Sequence, residues 1–148
     1  EKMKANNPKV YANNTAIVDA VNRGEILVGL VNHYYLYNYT KDQGGATVVA
    51  RNYFPRGGGA GAMVNVAGIG LLASAKNTAA AQKLLEFLLS PTAQAYFSDQ
   101  TFEYPLIPQA TAASELLPLD KIPHPNLDLS NLSDLEGTLR LLRDVGIL

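Results

Sequence analysis

Apolar positions along this chain switch between a helical and an extended spacing. Residues Glu1 to Asn13 are polar and contain Pro8. From Thr15 to Gly24, the residues Ile17, Val18 and Val21 fall on one helical face. Asn14 suits the cap of that helix and Gly24 its stop. Glu25 to Val31 is a short apolar, β-branched run that predicts a buried strand ending at Asn32. His33 to Asp42 predicts a second helix, with Asn32 at its cap and Gly44-Gly45 as its stop. Thr47 to Ala50 reads as another short strand. Helix, strand, helix, strand in this order predicts an α/β chain with a largely buried sheet.

The second half continues the alternation. Arg56 to Gly61 is a loop; its Gly57-Gly58-Gly59-Ala60-Gly61 run lacks the Gly-Lys-Ser/Thr ending of a phosphate loop and reads as a connector. Ala62 to Ala75 predicts a long strand, bent or closely approached at Gly68 and Gly70, and too short and Gly-rich to span a membrane. Asn77 or Thr78 caps an amphipathic helix through Leu89, with Leu84, Leu85, Leu88 and Leu89 inward. Ser90-Pro91 opens the next helix, running to about Ser98. Phe102 to Leu106 is extended, because Tyr104 precedes a proline. Pro108 to Asn131 is loop-rich. Ser133-Asp134-Leu135-Glu136 then forms a capping box before a last helix, whose stripe is Leu135, Leu139 and Leu142 and whose end is Gly146.

Composition narrows the chemistry. With 148 residues, 47% of them hydrophobic, and a net charge of −1, the chain can build a core without metal or disulfide staples and is not disordered. Twelve Lys and Arg against thirteen Asp and Glu argue against a nucleic-acid surface. Zero Cys excludes a thiol nucleophile and a thiolate metal site. The chain opens on Glu1 with no leader, so it is expected to be processed or to be a piece of a longer protein.

The tyrosines are unevenly placed. Four of eight, Tyr34, Tyr35, Tyr37 and Tyr39, cluster at the start of the second predicted helix. Packing at a strand–helix junction accounts for such a cluster. So does metal binding: a highly charged hard cation can displace the phenol proton, whose reference pKa is about 10. Tyrosinate is a known iron ligand. Adjacent side chains point to opposite faces of a strand, whereas on the first turn of a helix they can converge. The unpaired N–H groups and positive field there also favour anions. His33 is expected to face solvent or to pack, and His124, between two prolines, to lie in a loop. An enzyme using a tyrosine as acid, base or nucleophile is the contrasting reading; no second titratable partner is placed beside Tyr34, and no nucleophile elbow is present.

Asn32-His33-Tyr34-Tyr35, set between a strand and a helix, resembles the paired-tyrosine motif of bacterial ferric-ion-binding periplasmic proteins, the substrate-binding components of iron ABC importers. The resemblance covers nearly the whole chain. It includes Val10 to Thr15, Asn22 to Glu25, the helical pair around Phe87-Leu88-Leu89-Ser90-Pro91 with Gln94, and Glu103-Tyr104-Pro105-Leu106. The helical pair is common to many solute-binding proteins, and the tyrosine pair is the specific part.

The resemblance implies a type II periplasmic-binding-protein fold, an α/β sandwich of mixed sheet and flanking helices, incomplete in this chain. It implies that residues 1–64 and 105–148 belong to the C-terminal lobe and 65–104 to the other, with Ala62 to Ala75 and Phe102 to Leu106 crossing the hinge. Tyr34 and Tyr35 would bind Fe3+ as phenolates, and Asn14 and Asn32 would hydrogen-bond a synergistic phosphate or carbonate. The family's ligand His and acidic residue would come from a missing N-terminal half, and His33 does not match that histidine. The location implied is periplasmic, or extracytoplasmic and membrane-anchored. The partners implied are ferric iron and an inner-membrane ABC permease. This piece alone would pair with its missing half, swap elements in a homodimer, or repack. The alternative within the fold is a solute-binding protein for a small anion, a polyamine or a sugar.

Overall fold

The computed structural model describes residues 1–44 and 47–148; Gly45 of the predicted helix stop lies outside them. The described chain is helical and irregular. In order it forms α1 (Lys2–Ala5), α2 (Asn14–Asn22), α3 (Tyr34–Asp42), α4 (Thr78–Leu88), α5 (Pro91–Thr101) and α6 (Leu135–Asp144), with short 3-10 turns at Ala60–Ala62, Leu119–Lys121 and Leu129–Asn131.

Helix α2 starts one residue earlier than predicted. The Asn13 side chain accepts the Ala16 N–H at 2.9 Å, so Asn13 is the cap and Asn14 is the first helical residue. Arg23 and then Gly24, at φ +72°, end it as the pattern required. Helix α3 follows the prediction but takes no side-chain cap, and Asn32 does not serve as one. The two helices pack through Val18 and Leu36, which share a core with Val48 and Ala50.

No strand forms among the described residues, so the predicted mixed sheet is absent from them. An apolar, β-branched run specifies an extended chain with a face to bury, but a strand exists only with a neighbour to complete its hydrogen bonds. The 25–31 segment has none, and Leu27 and Val28 are 94% and 77% exposed rather than buried. Near Thr47 to Ala50, the Asn22 side chain takes the place of a neighbouring strand: its Oδ1 accepts from the N–H groups of Val49 at 2.8 Å and Ala50 at 3.3 Å. The 62–75 run is likewise irregular, with Ile69, Leu71 and Leu72 exposed.

Helices α4 and α5 form the predicted pair. The apolar stripe of α4 is only partly covered: Leu85 and Leu88 are half-buried, whereas Leu84 and Leu89, expected inward, are exposed. Ser90 accepts the Ala93 N–H and Pro91 occupies the first helical position, as predicted. Helix α5 runs past Ser98 to Thr101 and closes on Phe102, a non-glycine residue in the left-handed region (φ 59°, ψ 33°). Ser98 is fully buried and accepts the Ala113 N–H at 2.8 Å.

Buried Gln94 ties three segments together. Its amide donates to the Leu88 carbonyl at 2.8 Å and its oxygen accepts the Leu106 N–H at 2.7 Å. Gln94→Leu keeps the apolar bulk but strands that N–H and carbonyl. We expect a loss of about 1–3 kcal/mol in denaturant unfolding of the full-length protein, against near-neutrality for substitutions on the exposed face of α5.

The last helix departs from prediction at its start and on its apolar face. Asp134, not Ser133, is the cap, its Oδ1 accepting the Gly137 N–H at 2.8 Å. The Leu135–Leu139–Leu142 stripe is not a core stripe, since α6 buries no residue and Leu135 is exposed. Periodicity marked an amphipathic face, and it is only partly covered: Leu139 and Leu142 are half-buried.

Candidate metal centre

Helix α3 is wedged between two small cores, and its tyrosines divide between them. Tyr35 and Tyr39, four apart, lean on the Val18–Leu36–Val48–Ala50 core. Tyr34 and Tyr37, three apart, lean on a second core of Phe102, Ala113 and Leu116. Helical spacing thus sends adjacent tyrosines to different backings, yet on the first turn the rings of Tyr34 and Tyr35 remain side by side, with centroids 4.7 Å apart and planes at 37°. That is the convergence a strand would have forbidden.

Tyr37 and Tyr39 are structural. The Tyr37 ring stacks on Phe102 and its hydroxyl donates to the Glu115 carbonyl at 3.1 Å. The Tyr39 hydroxyl donates to Asp19 Oδ1 at 2.8 Å, and that bond to a carboxylate raises its pKa above the ordinary phenol value. Packing therefore explains half the cluster.

Tyr34 differs, because its oxygen receives a hydrogen bond. The Asn32 side-chain amide donates to it at 3.0 Å. Burial raises the Tyr34 pKa; the Asn32 donor works against that rise, while the adjoining Tyr35 and the charge of Glu103 add to it. Left to itself Tyr34 stays a neutral phenol, so a bound cation must drive its ionisation.

Asn14 stands half-buried at the start of α2, relieved of capping by Asn13. Asn32 is exposed, and one of its amide hydrogens is committed to Tyr34. His33 does not face solvent. It packs, its ring Nε2 lying 2.7 Å from the Phe102 carbonyl oxygen. Burial lowers its pKa, offset in part by the Phe102 carbonyl and the Glu103 charge. His124 is an exposed loop residue.

Among the described residues, no cluster of three or more His, Asp or Glu side chains could hold a metal ion. The donors that α3 supplies are two phenol oxygens. The pattern of the sequence did not disclose Asn52, whose amide donates to the His33 carbonyl at 3.0 Å, or Tyr104, whose ring lies 5.1 Å from that of His33.

The chain offers paired phenol donors at a helix start. It belongs to the bacterial extracellular solute-binding proteins, whose family model matches residues 1–121. This is a family of binding proteins, not enzymes, placed by its description outside the cytoplasm. The chain is 33% identical over 139 residues to the major ferric iron-binding protein of Neisseria meningitidis serogroup B, covering 94% of this chain and 42% of that protein. It is 37% identical over 99 residues to iron uptake protein A1 of Synechocystis, covering 64% and 28%. With the Fe(3+)-binding periplasmic protein of Serratia marcescens it shares 26% identity over 148 residues, covering 99% and 44%. The chain thus spans less than half the length of these curated relatives.

Proposed function

We propose that this chain is the tyrosine-bearing part of an extracytoplasmic ferric-iron-binding protein that delivers its ion to an inner-membrane ABC permease. The observation that carries the reading is the Tyr34–Tyr35 pair side by side on the first turn of α3, in a chain whose relatives bear ferric-iron names. Two adjacent phenolates suit a trivalent, hard, oxygen-seeking cation better than a sugar or a polyamine. Tyr34 and Tyr35 are the proposed ligands.

A synergistic anion, phosphate or carbonate, fits the same corner. The N-terminus of α3 takes no side-chain cap, so beside the Tyr35 N–H, which donates to the Asn32 carbonyl at 3.2 Å, its first turn offers N–H donors and a positive field. Asn32 retains a second amide hydrogen beside its bond to Tyr34, and Asn14 is free of the capping role. Such an anion would fill positions on the ion that two phenols leave open.

Two phenolates alone do not saturate ferric iron, and the remaining protein ligands are assigned to the N-terminal half of a longer protein. In that arrangement residues 1–64 and 105–148 lie in one lobe and 65–104 in the other, with the chain crossing near 62–75 and 102–106. A solitary copy of this piece would bind iron weakly, and a domain-swapped homodimer is one way it could complete itself.

Thermal unfolding of the full-length protein tests the choice of ligand, since a ligand bound only by the folded state stabilises it by about 2.7 kcal/mol at a hundred times its Kd. Ferric iron with phosphate or carbonate is expected to raise the midpoint. Stabilisation by a polyamine, a sugar or a metal-free anion, with none from iron, would transfer the chain to the alternative reading within the fold.

A further inference from the structure

Residue 33 is held from two sides. Its ring Nε2 lies 2.7 Å from the carbonyl oxygen of Phe102, a contact spanning 69 positions of sequence. A carbonyl oxygen only accepts, so Nε2 carries the hydrogen and donates. The backbone carbonyl of His33 accepts the Asn52 amide at 3.0 Å. Around the ring stand Tyr104, at 5.1 Å between centroids, and Tyr34, edge-on at 5.5 Å. The anchor itself is well fixed: Phe102 is buried, closes α5 in the left-handed region, and stacks under Tyr37 of the same helix that His33 precedes.

We propose that His33 is a positioning residue for the tyrosine pair: its Nε2–H bond to Phe102, with Asn52 on its carbonyl, fixes where α3 begins and so where the Tyr34 and Tyr35 oxygens point. The proposal rests on the Tyr34–Tyr35 reading above. It needs no ligation by His33, whose Nε2 is engaged with the Phe102 carbonyl. Without a side-chain cap on α3, the first turn would otherwise fray, and its first two residues are the ligands. The bond also joins the start of the ligand helix to the segment that follows α5. A shift at residues 102–104 therefore reaches the start of α3 through the His33 bond, beside the ring contacts of Tyr34 and Tyr37 with the Phe102 core.

The test uses the full-length protein and three substitutions. His33→Leu keeps apolar bulk and removes the donor. His33→Gln places an amide nitrogen where ring Nε2 stood, and His33→Asn places one only as far out as Nδ1. Ferric affinity is measured against a competing chelator, and the visible phenolate-to-iron absorption is recorded at saturating iron. The expected result is a loss of about 10- to 100-fold for His33→Leu and His33→Asn, with a weakened or displaced band, as for other groups that orient metal ligands. His33→Gln should recover most of both. If His33→Leu does not fold, the contrast between Gln and Asn decides alone. Equal behaviour of His33→Gln and His33→Asn, or wild-type affinity and absorption in His33→Leu, would overturn the proposal. Tyr34→Phe, run alongside, separates the two failures: if it keeps wild-type affinity and absorption, it is the site reading that falls.

Discussion

Tyr34→Phe is expected to lower ferric affinity by more than the roughly 10- to 100-fold that follows loss of an orienting group, and Tyr35→Phe likewise. Each substitution removes one oxygen and leaves the ring. The ring of Tyr34 continues to cover Phe102, Ala113 and Leu116, and that of Tyr35 to cover Val18 and Leu36. Tyr34→Phe also gives up the Asn32 hydrogen bond, so its stability cost should be no larger than that of the control variants, while binding collapses. The controls lie on the same helix. Tyr37→Phe and Tyr39→Phe each lose a hydrogen bond, to the Glu115 carbonyl and to Asp19, and should cost about 0.5–1.5 kcal/mol of unfolding free energy with iron affinity intact. Chelator competition and chemical denaturation on the four variants separate the ligands from the packing tyrosines. A uniform effect across all four would mean that the cluster acts only through the fold.

The second large effect is on pH. A phenol must lose its proton to ligate, and burial already raises the Tyr34 pKa above the ordinary value. Ligation by Tyr34 therefore expels a proton, and through that residue affinity should rise about tenfold per pH unit and fall as steeply on acidification. Other groups that exchange protons, including the anion and the competing chelator, add to the raw slope. The difference between the wild type and Tyr34→Phe cancels them and isolates one proton, about tenfold per pH unit. Identical slopes for the two proteins would exclude Tyr34 as an ionised ligand.

The helices of this chain were legible in its sequence because their signals are local. Ser90-Pro91 opened α5 where cap chemistry placed it, and Gly24 and Gly146 ended α2 and α6. Two helix starts differ by one residue, Asn13 for Asn14 and Asp134 for Ser133, where two competent oxygens stand side by side and the local geometry chooses; at α3 the expected cap Asn32 turns to Tyr34 instead. The predicted strands do not form among the described residues, for a different reason. An apolar run such as Glu25 to Val31 encodes a need for a partner without supplying it, and among the described residues that partner is absent. The tyrosine pair was legible because its position on a first turn follows from the helix boundary. The hold on His33 was not, because bonds to the Phe102 carbonyl and from the Asn52 amide join positions far apart and leave no periodic trace. The left-handed Phe102 that aims the carbonyl carries no glycine to announce it.

Tyr34 and Tyr35 together are proposed to hold ferric iron as phenolates. Visible absorption of the iron-loaded full-length protein tests it most directly, because phenolate bound to iron absorbs where protein and anion do not. A band that saturates with bound iron in the wild type, and is gone in the Tyr34→Phe/Tyr35→Phe double variant together with the affinity, is the result predicted here. A double variant that retains both the band and tight binding would contradict it.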